Sequence, residues 1–92
     1  MFERFGSRWA LQVLFALHER GILRFSELMR AVPGAISERM LASTVRDLEQ
    51  AGLVARRVYP EVPPRVEYSL TPKGRSVIPI LEQLRDWAEK NA

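Results

Sequence analysis

The order of three segments constrains this chain more than its composition does. An amphipathic helix pattern opens at Ile36-Ser37 and closes at Gly52, two strand-like stretches flank Pro63-Pro64, and another helix begins at Thr71-Pro72. Apolar residues recur at helical spacing on both sides and alternate in between, which specifies a hairpin enclosed by helices. The fold class expected is α+β, mostly α, built on a two- to three-stranded antiparallel sheet.

Size narrows the options. With 92 residues the chain fits one domain, residues 1–92, whose own core is modest, so burial against a second copy would add stability. A hydrophobic share of 47% and a charged share of 27% describe a chain that folds. The net charge is +3, and the cations are twelve Arg against two Lys. Guanidinium groups bind phosphate and guanine through several donors at once, so the bias suits nucleic acid; Arg also forms ordinary surface ion pairs. Cysteine is absent, which excludes disulfides, a thiolate nucleophile and thiolate zinc sites. No apolar run is long enough to cross a bilayer and no signal-peptide pattern opens the chain, so a cytoplasmic protein with no membrane partner is expected. Met1 to Phe5 reads as helix already under way, as expected where upstream sequence is missing or short.

From Ser7 to Arg20 the helical pattern is apolar around most of its circumference, with Trp9, Val13, Ala16 and Leu17 on one face and Leu11, Leu14 and Phe15 on another. Such a helix is buried on two sides, and homodimerisation is the simplest way to cover both. Gly21 is placed to end it, and Ile22 to Phe25 forms a short extended link. Ser26 is placed to cap a helix that Pro33-Gly34 stops. In the next helix Ser37 is the expected N-cap, Ile36 and Leu41 form a hydrophobic staple, and Leu41, Val45 and Leu48 form the buried stripe. Arg39, Ser43, Arg46 and Gln50 then face outward, and none is acidic. In the second strand Val66, Tyr68 and Leu70 point inward. Between the strands, Pro60 to Pro64 makes a stiff loop that projects. The last helix has the stripe Val77, Ile80, Leu81, Leu84 and Trp87-Ala88, and Pro79 should kink it or mark its true start.

Helix, hairpin and helix in a small basic chain read as a winged helix-turn-helix with terminal dimerisation helices. The recognition helix spans about 37–51, the wing about 53–71 and the C-terminal dimerisation helix about 72–90. Double-stranded DNA is the expected partner. Residues near the start of a recognition helix reach base edges, here Ser37, Arg39, Met40, Ser43 and Thr44. Arg39 suits a bidentate contact to guanine, the hydroxyls suit bases or phosphates, and Met40 or the Thr44 methyl suits a thymine methyl. Arg46, a turn further on, suits phosphate. The competing reading leaves both arginines solvated, with Arg46 paired to Glu49. Arg24 and Ser26 suit a phosphate at a helix N-terminus. On the hairpin Arg56, Arg57 and Arg65 suit phosphate or the minor groove, with Arg65 beside Pro64 at the tip the leading residue; Arg65–Glu67 or Arg57–Glu61 surface pairs are the alternative. Phe2, Phe5, Trp9, Leu81, Leu84 and Trp87 are the expected dimer interface.

Catalysis finds no constellation. His18, the one histidine, lies in the last turn of an apolar helix, where a cation is favoured. Asp47 with Glu49 and Asp86 with Glu89 read as exposed helix charge. No catalytic residue, metal site or cofactor is expected, and a small-molecule effector leaves no motif. A winged-helix module that docks on protein without binding DNA is the alternative function.

RFSEL at Arg24–Leu28, ISERML at Ile36–Leu41, RDLEQAGLV at Arg46–Val54 and YPEVPPRVEYSLTPKG at Tyr59–Gly74 together resemble the HxlR family of bacterial winged-helix transcription regulators. The resemblance covers almost the whole chain and is most specific in the hairpin. It implies a homodimer joined by the terminal helices, with two recognition helices presented to a pseudo-palindromic operator. Ser37, Arg39, Met40, Ser43 and Thr44, and the wing around Pro63-Pro64-Arg65, match the family's contact positions. Members that sense oxidants or electrophiles use a cysteine ahead of the first tryptophan-bearing helix. This chain has none, so thiol-based sensing is not expected of it.

Overall fold

The computed structural model describes residues 8–34 and 36–91. In chain order these are α1 (Arg8–Arg20), β1 (Leu23–Arg24), α2 (Phe25–Ala31), α3 (Glu38–Gln50), β2 (Val54–Tyr59), β3 (Arg65–Leu70) and α4 (Pro72–Lys90). The architecture is mostly helical with one antiparallel sheet, as the periodicities require. The extended link after α1 becomes the third strand, and the sheet order is β1-β3-β2. Leu23 pairs with Tyr68 and Arg24 with Glu67, while β2 pairs with β3 from Val54–Leu70 to Tyr59–Arg65.

Four helices and the base of the sheet share one core. Val13 and Leu17 of α1, Leu28 of α2, Leu41 and Leu48 of α3 and Ile78 of α4 are its most deeply buried large side chains. The staple closes as expected, with Ile36 and Leu41 both buried. Gly52 ends α3 at φ +79°, a left-handed conformation that side-chain-bearing residues disfavour.

The start of α4 is tied to the end of α3. Thr71 caps α4 by accepting from the Gly74 amide at 3.0 Å, and its hydroxyl donates to the Gly52 carbonyl at 2.6 Å. Lys73 Nζ donates to the Ala51 carbonyl at 2.9 Å, where the helix dipole favours a cation. Gly74 packs directly on this join, and a Cβ there would collide with the Leu53 carbonyl oxygen. The hairpin therefore leaves and returns at a locked base, and its far end projects.

Three expectations need correction. Ser26 does not cap α2: the helix begins at Phe25, with Arg24 as the N-cap residue and Ser26 inside the first turn. Pairing of Leu23 and Arg24 with β3 sets where extended backbone ends, and the Arg24 amide donates to Glu27 Oε1 at 2.8 Å. Pro79 does not mark the true start of the last helix, since α4 runs through it from Pro72. The buried stripe of α4 is also displaced from the expected one: Gly74, Ile78 and half-buried Leu81 face the core, whereas Ile80, Leu84 and Trp87 point to solvent. Among the described residues no helix is long and apolar enough to cross a membrane.

Candidate nucleic-acid interface

The proposed recognition surface starts from the cap of α3. Ser37 Oγ accepts from the Met40 amide at 3.0 Å, and the Ser37 carbonyl accepts from the Leu41 amide at 2.9 Å. The first satisfies an amide that a helix start otherwise leaves open, and the second is the first intrahelical bond. With Leu41, Val45 and Leu48 buried, the helix can rotate no further. Arg39, Ser43, Arg46 and Gln50 are left exposed at i, i+4, i+7 and i+11, with Met40 beside them at 45% exposure. Glu38 is exposed in the first turn, so an acid borders this polar and basic face.

Thr44 is the expected contact that the structure removes. It is 7% exposed, and its hydroxyl donates to the Met40 carbonyl at 2.7 Å, which turns it into the helix. It lies next to Val45 on the buried side of the helical wheel, so neither its hydroxyl nor its methyl is presented outward.

On the hairpin, the register separates three arginines that the sequence treated alike. Arg56 lies opposite Tyr68, on the sheet face shared with buried Val54 and Leu70. That face turns towards α3. Between them lies a polar cleft of about 380 Å³, lined by Ala42, Val45, Arg46, Glu49, Arg56 and Tyr68. Arg46 and Glu49 line it from α3 and Arg56 from β2. From sequence Arg56 had no role of its own; the two-residue alternation counted from Val54 is the signal that would have set it apart.

Arg57 and Arg65 occupy the opposite sheet face, around Tyr59. The guanidinium carbon of Arg65 lies 4.0 Å from the Tyr59 ring centroid and that of Arg57 lies 4.9 Å from it. Arg65 also pairs with Glu61 at 3.1 Å, and its Nε is 3.8 Å from Glu67. Of the two alternative pairs read from sequence, Arg65–Glu67 is present, at the long limit of an ion pair. Pro64 and Val62 are exposed at the tip, and the Val62–Pro63 peptide is cis.

The other expected positions divide similarly. Arg24 and Ser26 are exposed, but the Glu27 carboxylate already takes the Arg24 amide, which places an anion where a phosphate was expected. Leu84 and Trp87 are 54% and 64% exposed, and with Ile80 at 63% they form an apolar stripe along α4. Leu81 and Trp9 pack against the core instead. Phe2 and Phe5 lie outside the described residues. Between α1 and α4 runs a groove of about 620 Å³ lined largely by Leu11, Phe15, Ala16, Leu81 and Leu84, with Arg85 stacked 4.6 Å from the Phe15 ring.

Residues 4–92 match the family model described as HxlR-like helix-turn-helix. An uncharacterized HTH-type transcriptional regulator of Methanothermobacter thermautotrophicus is 56% identical over 84 residues, covering 91% of this chain and 63% of that protein. The uncharacterized HTH-type transcriptional regulator YtfH of Escherichia coli is 51% identical over 85 residues, covering 92% of this chain and 66% of its own. The chain thus spans less than two thirds of these two relatives. Among solved structures, the redox regulator HypR in its reduced form superposes with a TM-score of 0.86 at 41% identity, covering 98% of this chain and 87% of that one.

Proposed function

Because this chain belongs to the HxlR-like helix-turn-helix family, we propose that it is a dimeric transcriptional regulator that binds a pseudo-palindromic operator in double-stranded DNA. The observation that supports this reading best is the outward face of α3, with the Arg46 and Arg56 cleft beside it and a hairpin projecting next to both. An α-helix fits the major groove, and the adjoining phosphate backbone then falls between helix and wing.

Each side chain has a distinct task in this reading. Arg39 bonds a guanine edge through two donors, Met40 touches a thymine methyl, and Ser37 and Ser43 bond a base or a phosphate. Arg46 and Arg56 hold the backbone from the two walls of the cleft, Arg57 reaches phosphate from the outer wing face, and Pro64 meets the duplex from the tip. Thr44, Arg24 and Ser26 have no part in it. Ile80, Leu84 and Trp87 dock on their counterparts in a second copy, and the pair of α3 helices enters successive major grooves. The chemistry is binding and positioning, and no reaction is assigned.

A titration of labelled duplex DNA across salt concentrations tests the reading. Duplexes selected from a random library should yield a two-fold symmetric site with half-sites about one helical turn or a multiple apart. Log K should fall with log salt by about 0.9 per phosphate contact. Loss of duplex affinity at low salt, with the fold intact, would favour the protein-docking module instead.

A further inference from the structure

We propose that Arg65 is a positioning residue that stiffens the wing and does not itself bind phosphate. The inference rests in part on the DNA-binding reading, because it divides the wing's arginines into those that hold the wing and those that touch the duplex.

The wing needs such a device. Beyond Val54 the β2–β3 ribbon leaves the core: Arg56, Arg57 and Val58 are exposed, and Tyr59 and Val66 are half-buried. Two strands without a core are marginal in water. The five residues of the tip, Pro60 to Pro64, are all exposed, and their one backbone bond besides the ladder joins the Glu61 amide to the Tyr59 carbonyl at 2.8 Å. Something else must hold the tip.

Arg65 is built to do so. It stands opposite Tyr59 at the last rung of the ladder, stacks on that ring at 4.0 Å, and pairs with Glu61 of the tip at 3.1 Å. Its side chain is 29% exposed, and its Nε is shielded from solvent 3.8 Å from Glu67, too far for a hydrogen bond. One planar guanidinium thereby joins the strand end, the ring and the loop. Lys, with a compact ammonium, cannot reproduce a stacked and forked contact. The same contacts count against Arg65 as a phosphate ligand: Glu61 pairs with it and Glu67 lies 3.8 Å from its Nε, so an anion would have to compete with both carboxylates. Among the described residues no carboxylate lies within ion-pair distance of Arg57, and it approaches the ring more loosely at 4.9 Å, so it remains the outer-face cation for the backbone.

Two measurements on the 92-residue chain decide the matter. In the free protein, amide hydrogen exchange at Arg57, Glu61 and Glu67 should quicken about fivefold in Arg65→Ala and in Tyr59→Leu, as loss of an exposed cation–π contact and a surface pair implies. Arg65→Lys should behave the same way, and Arg57→Gln should leave these amides close to wild type. With duplex DNA, Arg65→Ala should weaken binding about fivefold at every salt concentration without changing the salt slope, whereas Arg57→Gln should lower the slope by about 0.9. Tyr59→Leu, which removes no charge, should match Arg65→Ala. Unchanged exchange in Arg65→Ala overturns the proposal, and so does a slope that falls by about 0.9 in that variant. If the wild-type chain binds no duplex, the DNA reading fails by itself and the exchange measurement still decides the role of Arg65.

Discussion

The outer faces of α3 and α4 are both unpaired in one chain, yet they are made of opposite materials. On α3 the exposed positions are Arg39, Met40, Ser43, Arg46 and Gln50; on α4 they include Ile80, Leu84 and Trp87. A hydrated, cationic face gains by exchanging counterions for phosphates. An apolar stripe gains by leaving water, which asks for a partner surface of its own kind. Both helices bury their other side in the same core, so the contrast does not come from the fold's own stability. It teaches that one small domain can carry two docking chemistries, provided the helix rotations are fixed from within.

The comparison can be broken in order of effect. Replacing Leu84 and Trp87 together by Glu should leave a folded monomer: at about 1.5 kcal/mol per buried side chain, two residues in each of two copies contribute about 6 kcal/mol to association. Sedimentation equilibrium would check this, and an unchanged dimer would show that α4's stripe is not the interface. On α3 the inner face should dominate stability. Leu41→Ala should cost about 2–5 kcal/mol in denaturant unfolding, while Arg39→Ala, on the exposed face, should stay within about 0.5 kcal/mol.

Arg39→Ala should act on binding instead, weakening the selected site by about 1–3 kcal/mol and relaxing its preference at one base pair. A uniform loss across sequences would reassign Arg39 to phosphate. Arg46→Gln and Arg56→Gln should each lower the salt slope by about 0.9 with sequence preference intact, which would mark the cleft as the backbone's path. The smallest effect is expected at Thr44→Val. Its hydroxyl bonds within the helix, so stability should shift by about 1 kcal/mol or less and duplex affinity not at all.

Much of this architecture was legible in the chain. Ser37 followed by a stripe at Leu41, Val45 and Leu48 identified both the start of α3 and the side it buries, because capping and helical spacing are local properties. The hairpin was equally plain from alternation around a proline-rich loop. The cap of α2 was misread for an instructive reason. Ser26 is a good local capping residue, but Leu23 and Arg24 are held extended by β3, more than forty residues away in sequence, and the helix must start where that pairing stops. The stripe of α4 slipped in the same way, since a helix apolar at Val77, Ile78, Ile80, Leu81 and Leu84 offers two faces. Packing of Gly74 on Leu53 selects Ile78 for the core.

Local chemistry within a few residues thus set the order of elements, the caps of α3 and α4 and the sign of charge on α3. Tertiary structure decided which sheet face each arginine occupies and what it touches. Arg56, Arg57 and Arg65 are the same residue type on one hairpin, and strand register alone sends the first towards α3 and the others towards Tyr59. The tip then draws Glu61 onto Arg65, so a residue that reads as a free cation is paired with a neighbour brought to it by a turn. Charge is written in the sequence, but its availability to a partner depends on which opposite charges the fold brings within reach.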